Sequence, residues 1–494
     1  MLIILTVLGI LLVIAVYDLT QREHAILRNF PLIGHLRYLL EAVGPELRQY
    51  IVTDNDEERP FSRDQRTWVY ASAKRQNNLF GFGTDNDLEL SPNYLIIKQS
   101  SFPRPVPHPG GDNYDENWPL ACAKVLGGAR NRPKAFRPQS VVNISAMSYG
   151  SLSSAAVEAL NRGAAQCGCM HNTGEGGVSP YHRSGGDLVW QLGTGYFGAR
   201  AKDGTFSIEA FRETLAKSPT VRAIEVKLSQ GAKPGHGGIL PGAKVTPEIA
   251  AIRGVPVGQT VESPPSHSAF GSADELLDFV EMIAQDCGLP VGIKSAVGQD
   301  QLWHELAALM RDGSRGVDFI SIDGGEGGTG AAPLVFADHV ALPFKRGMAA
   351  VYPIFEEAGV AESVVWIGSG KLGFPARALF AFGLGCDMVS VAREAMLAIG
   401  CIQAQRCHTG HCPTGVATQK PWLVRGLDPM SKSARLANYV VTLRKEIAEL
   451  VAACGCDHPG EIELEHFAIL DDALGQQNAR EVFGYSQPGL SSRS

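Results

Sequence analysis

The chain has 494 residues, 45% hydrophobic and 19% charged, with 44 Lys and Arg against 51 Asp and Glu and a net charge of −7. A mildly acidic chain without a long Lys/Arg block argues against a nucleic-acid surface, whose affinity rests on neutralising phosphates. Apolar content and the lack of low-complexity tracts exclude intrinsic disorder, and 55 glycines suggest many tight loops where backbone approaches a ligand.

Residues Leu2 to Val16 (LIILTVLGILLVIAV) carry no charge. With Met1 and Tyr17 the stretch is 17 residues, roughly 25 Å as a helix and at the short end of a membrane span. A cleaved signal peptide is the rival reading, yet no basic residue precedes the run and no A-x-A site follows it. A buried core helix is the third. The first basic residues, Arg22, Arg28, Arg37 and Arg48, lie on its C-terminal side. The positive-inside rule then predicts a single-pass anchor in the inner (cytoplasmic) membrane, with the body in the cytoplasm. There, ten cysteines make a poor disulfide framework and better metal ligands or small hydrophobes.

The pattern predicts four regions: an anchor over 1–21, a wrapping region over 22–138, a barrel over 139–422 and a C-terminal helix and tail over 423–494. Asn29 to Tyr50 reads as a short helical hairpin broken by Pro31 and Gly44-Pro45, and 53–66 as charged surface. From about 80 to 138 the chain is loop-rich without periodicity. From 141 onward, short apolar β-branched runs alternate with helical stretches. The runs are 141–148, 169–175, 190–197, 223–229, 290–296, 319–325, 365–370 and 388–394. Helical segments between them include Ala155–Gln166, Ile208–Ala216, Ala273–Asp286, Gln301–Arg311, Met348–Ala358 and Pro375–Phe382. Eight buried strands with helical crossovers indicate an α/β fold, a (β/α)8 TIM barrel; a doubly wound sheet is the alternative. Ser431–Ala453 reads as a long amphipathic helix, and the polar tail from about 475 as frayed.

Three features carry chemistry. Cys401-x5-Cys407-x4-Cys412-Pro413 puts three thiols on one loop, a set that can hold an iron–sulfur cluster. Zinc completed by His408 or His411 is the alternative, and a structural role the third. Second, GSGKLG (368–373), GLGCD (383–387) and DGGEGGTGAAP (323–333) are glycine-rich and sit at late strand ends, where barrels build phosphate sites. Third, Lys227 and Lys294 sit at strand ends, with Lys233 and Arg253 in the following Gly/Pro-rich excursion. Such cations suit substrate carboxylates or a reduced flavin ring, although a single Lys more often caps a strand. Glu175 in NTGEGG is a candidate proton donor. Cys122, Cys167, Cys169, Cys287, Cys386, Cys454 and Cys456 read as bystanders, and His171 stays undecided.

In this order, ISAMSYGSLS (144–153), NTGEGG (172–177), EVKLSQGAKPGHGGILPGAKVTPEIAAIRG (225–254), SPPSH (263–267), VGIKSAVG (291–298), GGTGAAP (327–333) and GCIQAQRCHTGHCPTGVATQ (400–419) resemble the FMN-binding synthase domain of glutamate synthase. The resemblance covers about 140–420. It implies a barrel holding FMN and a [3Fe–4S] cluster on Cys401, Cys407 and Cys412. FMN would lie against Ala146, Met147, Ser148, Asn172, Thr173, Lys227, Gln230, Lys294, Gly324, Gly368, Gly370 and Lys371. Lys233 and Arg253 would clamp 2-oxoglutarate, Lys294 (or Lys227) would stabilise the reduced flavin, and Glu175 would assist proton traffic. The implied reaction reduces 2-iminoglutarate, formed from 2-oxoglutarate and ammonia, to L-glutamate. Electrons would come from a partner protein or a quinone, because no NAD-binding module is evident, and no glutaminase domain precedes the barrel. A homo-oligomer is left open. The chain departs from the family pattern at Ile239 (an expected Gln), at His236 (an expected acid), and at Asp323, Gly325 and Glu326, where DGGE stands for SGHD. These departures leave open another 2-oxo or 2-hydroxy acid as substrate, or a non-catalytic electron relay at the membrane.

Overall fold

Runs of β-branched residues with no polar alternation form strands buried on both faces, the signature of a parallel sheet covered by helices. In the computed structural model, which describes residues 1–111 and 114–485, eight such strands close into a barrel. They are β1 (Val142–Ile144), β2 (His171–Asn172), β3 (Leu188–Leu192), β4 (Val221–Lys227), β5 (Val291–Ser295), β6 (Phe319–Asp323), β7 (Val365–Ser369) and β8 (Met388–Val391). Each pairs in parallel with the next, and β8 returns to β1 through Val389 opposite Val142 and Val391 opposite Ile144. That closure rules out the doubly wound alternative. All eight predicted runs overlap a strand, although the third and fourth strands begin two residues earlier than predicted, at Leu188 and Val221, and the crossover helices fall where the periodicity put them.

Local chemistry explains the boundaries. Helix Ser154–Cys167 starts where the Ser153 hydroxyl accepts the Ala156 N–H and stops at left-handed Gly168. Helix Ala273–Cys287 repeats the device with Ser272 and Gly288. Between β4 and β5 the chain makes a long excursion, holding the short hairpin Ile239–Leu240 with Val261–Glu262 and the helix Pro247–Arg253.

The chain divides into two units, Met1–Thr67 and Trp68 onward, so residues 68–138 go with the barrel. Two expectations there need correcting. Within the loop-rich stretch, Tyr94–Ile97 forms a strand pairing antiparallel with Phe467–Leu470, which in turn pairs with Gln476–Asn478. The tail is therefore ordered to Tyr485, and its remainder lies outside the described residues. The Asp471 carboxylate accepts the N–H groups of Ala473 and Gly475, which closes the turn. Phe483 packs on Phe380, and the buried Tyr485 donates its hydroxyl to the Leu384 carbonyl at 2.6 Å. A strand of Gln and Asn with exposed side chains has no apolar alternation to betray it.

In the N-terminal unit, helix Leu2–Thr20 is the one described helix long and apolar enough to cross a membrane. Helix Gly34–Leu47 runs on through Gly44-Pro45 instead of breaking there. Proline at position 45 removes one N–H from the helix, which continues past it on a largely exposed element.

The C-terminal helix Pro429–Ala453 packs on Ser154–Cys167 at Gly163, where an added Cβ would stand 2.8 Å from both the Ser433 carbonyl oxygen and Leu436 Cβ. Alanine favours helix by about 1 kcal/mol over glycine, but the clash involves backbone and is expected to win. Gly163→Ala should lose about 1 to 2 kcal/mol, read as a lower urea midpoint; an unchanged or higher midpoint would refute this.

Candidate active site

Parallel register brings side chains at strand C-termini onto one face of the barrel. Lys227, last in β4, stands beside Lys294 of β5, and Lys294 beside Ser321 of β6. A cavity of about 520 Å³ opens there. Of the residues singled out in the sequence, Ala146, Lys227, Gln230, Lys294, Gly370 and Lys371 line it. Met147, Ser148, Asn172, Thr173, Gly324 and Gly368 are not among its lining residues. Asn172 donates to the Glu225 carboxylate at 2.8 Å, and its Oδ1 accepts the Gly174 N–H. The Thr173 hydroxyl oxygen accepts the Gln191 N–H. Ser148 donates to Ser151, the Met147 carbonyl lies 3.0 Å from His182 Nε2, and the Gly324 N–H donates to the Ser369 carbonyl. Gly368 faces the Phe344 ring too closely for any side chain.

The charges form two buried groups. In the first, Lys227 Nζ donates to Glu175 at 2.7 Å and to Gln230 Oε1 at 3.2 Å. Burial alone would raise the Glu175 carboxyl, but Lys227, with Lys233 and Arg253 behind it, holds it below the usual range. Burial pushes Lys233 down to about 8 against the pull of Glu175. Burial likewise lowers Arg253 to about 10, Glu175 again opposing. Arg253 Nη2 donates to the Tyr149 carbonyl and the guanidinium covers the Phe197 ring, yet its buried Nε has no hydrogen-bond partner. In the second group, Lys294 lies 3.4 Å from Asp323. Burial opposes its charge, but Asp323 and Glu225 prevail and raise it above an ordinary lysine. Glu225, deep in the barrel, accepts from Asn172, Gln191 and Ser321.

Two glycines are steric requirements. A Cβ on Gly231 would collide with the Gly324 carbonyl, and one on Gly238 with the Glu175 carboxylate. At the cavity edge Lys371 takes φ 54°, a left-handed conformation unusual for lysine, the kind of strain that clusters at functional sites.

The departures from the family pattern also have places. Asp323 pairs with Lys294 and accepts the Gly231 N–H at 3.0 Å. Glu326 accepts the Phe344 N–H at 2.8 Å. His236 sets its ring edge-on to Phe336, and Ile239 lies in the hairpin opposite Glu262. Gln191, Asp323, Ser369, Ser390, Arg393 and Glu394 also line the cavity. Of these, the sequence singles out Asp323 as a departure and carries Ser369 inside GSGKLG; Gln191, Ser390, Arg393 and Glu394 were missed, although Arg393, just after β8 in VARE, had a positional signal.

The loop 400–419 follows β8 and the short helix Arg393–Ala398. Cys412 is buried, and Cys401 and Cys407 are half-buried. The Gln403 N–H donates to Cys401 Sγ at 3.4 Å, Tyr70 donates to the Cys401 carbonyl, and Gln419 donates to the carbonyls of Gly150 and Leu152. Lys244 is buried with no carboxylate in ion-pair range among the described residues; its Nζ donates to the Cys407 carbonyl at 2.7 Å and to that of Ser151. A single zinc would draw its ligand sulfurs to within about 4 Å of one another. No Cys–His set among the described residues converges in this way, and His411 faces Thr409 and Lys420. The buried Lys244 is within electrostatic reach of Cys407 and Cys412.

Fold and site together define a TIM-barrel protein with a cation-lined cavity at its strand ends and a three-cysteine loop beside it. The family described as a conserved region in glutamate synthase matches residues 126–457. A glutamate synthase large subunit-like protein, YerD, of Bacillus subtilis is 38% identical over 483 residues, covering 92% of this chain and 91% of the relative. The archaeal glutamate synthase [NADPH] of Methanocaldococcus jannaschii is 38% identical over 320 residues, covering 64% of this chain but only 59% of its own length. Among solved structures, a mandelate oxidase variant with an FMN adduct aligns over 86% of this chain and 96% of its own, with TM-score 0.41 and 14% identity, too distant to bear on the site. The chain belongs to the glutamate synthase family.

Removing one partner from a buried ion group leaves the others uncompensated. Glu175→Gln should therefore cost about 3 kcal/mol of stability, seen as a lower melting temperature. An unchanged melting temperature would mean that the three cations are balanced elsewhere.

Proposed function

We propose that this chain is an FMN- and iron–sulfur-dependent oxidoreductase that reduces the imine of 2-oxoglutarate and ammonia to L-glutamate. Family membership supports the reaction class. The observation that carries the site is the set of four cations, Lys227, Lys233, Arg253 and Lys294, buried at one end of the barrel. FMN suits the cavity in charge: Lys227, Lys294, Lys371 and Arg393 line it together with Gly327, Gly328 and Gly370. Gln230 and Ala146 complete that wall. A [3Fe–4S] cluster fits Cys401, Cys407 and Cys412, with Lys244 as counter-charge. When bound, FMN supplies hydride transfer and the cluster one-electron transfer.

The chain's own residues then have separable tasks. Lys233 and the guanidinium of Arg253 hold the substrate carboxylates; the unpartnered Nε of Arg253 marks a donor in wait for an acceptor. Lys294, kept protonated by Asp323 and Glu225, is a fixed positive charge at the cavity wall and, with FMN bound, would favour the reduced form of the flavin. Glu175, held ionised, is a poor proton donor. It serves as the counter-ion that lets Lys227, Lys233 and Arg253 coexist.

A second reading keeps this machinery and changes the substrate. Ile239 is apolar where the family pattern has an amide, which favours a 2-oxo acid with a less polar distal end, since unmatched polar groups cost about 1 to 3 kcal/mol. The same proposal anchors the protein in the inner membrane by Leu2–Thr20, on whose C-terminal side the nearby arginines mark the cytoplasm. A partner protein or a quinone supplies electrons.

The purified full chain should show a flavin absorbance spectrum and contain iron. A colourless, iron-free preparation from flavin- and iron-replete cells would end this reading. With an artificial reductant it should turn over 2-oxoglutarate and ammonia. The Lys233 ammonium is present below its pKa of about 8 and lost as pH rises through it, so KM for the oxo acid should climb above that pH. Lys233→Ala should raise KM about 10- to 100-fold and flatten the climb. If Lys233→Ala with Arg253→Ala left activity untouched, the carboxylate clamp would be wrong and a simple electron relay favoured.

A further inference from the structure

The N-terminal unit carries an apolar stripe that nothing within the unit covers. Helix Gly34–Leu47 places Leu36, Leu39, Leu40, Val43 and Leu47 at spacings of three and four, so they share one helical face. All five are exposed, Leu36 at 56% and Leu40 at 55%. Arg37 and Glu41, an ion pair at 2.8 Å, lie on the polar side. The polypeptide next to this helix fixes where the stripe sits. Asp18, buried in the last turn of Leu2–Thr20, accepts the Leu32 N–H at 3.0 Å, and His35 Nε2 lies 3.0 Å from both its carboxylate oxygens. Tyr38 adds a contact from the second turn, its hydroxyl 3.4 Å from His24 Nδ1. This clasp ties the start of the amphipathic helix to the end of the apolar one. A 19-residue helix spans about 28 Å, so its end stands where hydrocarbon gives way to headgroups.

We propose that helix Gly34–Leu47 lies in the bilayer interface, with its Leu/Val stripe against the acyl chains and Arg37 and Glu41 among the headgroups. The inference rests on reading Leu2–Thr20 as a membrane span. Exposed apolar side chains that would be a liability in water gain a solvent that matches them, and Arg22 and Arg28 on the connecting segment suit anionic headgroups.

The test uses the full chain in nanodiscs of phosphatidylcholine and phosphatidylglycerol. The photoreactive residue p-benzoylphenylalanine replaces Leu8, Leu40, Val43, Arg37 or Glu41, one at a time, and mass spectrometry detects a gain of one phospholipid after irradiation. Lipid adducts are expected in high yield at Leu8, Leu40 and Val43, which face the acyl chains, and in clearly lower yield at Arg37 and Glu41, which face headgroups and water. Adducts at Leu8 but none at Leu40 and Val43, or adducts there to a second copy of the chain, would overturn the interfacial helix while leaving the span intact. No lipid adduct at Leu8 would overturn the span and this inference with it.

Discussion

One constraint organises the catalytic end of this barrel: positive charge is buried there faster than negative charge is supplied. Lys227, Lys233, Arg253 and Lys294 all lie inside the protein. Within direct reach they find Glu175 and Asp323, with Glu225 deeper and already committed to Asn172, Gln191 and Ser321. Desolvation penalises each charge steeply in such a place. The imbalance shows at the margins of the group, where Lys233 and Arg253 are pushed down, while Lys294, closest to two carboxylates, is not. A fold retains a charge surplus of this kind where a ligand supplies the missing anion. Phosphate, carboxylate and reduced flavin are all anionic, so on the proposed reading one electrostatic arrangement would serve cofactor and substrate alike.

The glycine surplus follows from the same crowding. Glu175 can sit among three cations with its carboxylate packed against Gly238, where a Cβ would collide with it. The loop after β4 and the loop after β6 touch backbone to backbone at Gly231 and Gly324, where the Gly231 N–H also reaches Asp323. The Lys227 and Lys294 groups are thus joined by main chain as well as by charge.

Much of this could be read before any coordinates. Strands buried on both faces leave an unbroken apolar run, so all eight were visible, whereas the caps at Ser153, Gly168, Ser272 and Gly288 emerge from the structure. The cationic residues were visible because lysine at the end of an apolar strand is conspicuous. Their partnerships were not. That Asp323 meets Lys294, or that Arg393 and Gln191 reach the cavity, depends on register across strands far apart in sequence. Lys244 gave no local sign of its place beside the cysteine loop. The small sheet joining Tyr94–Ile97 to Phe467–Leu470 was hidden for the same reason, and its Gln476–Asn478 strand carries no hydrophobic pattern at all.

The closure of β8 on β1 has a consequence for how the protein is made. Ile144 pairs with Val391, so the first strand waits with an open edge until nearly the whole barrel has left the ribosome. Long-range closure of this kind is slow, and an unpaired edge invites association with other chains. The cysteine loop emerges immediately after that last strand, and Tyr70, Gly150, Leu152 and Lys244, the residues that hold it, have all been synthesised by then. Order of synthesis thus makes the three thiols the last part of the site to appear, over a scaffold already able to receive them.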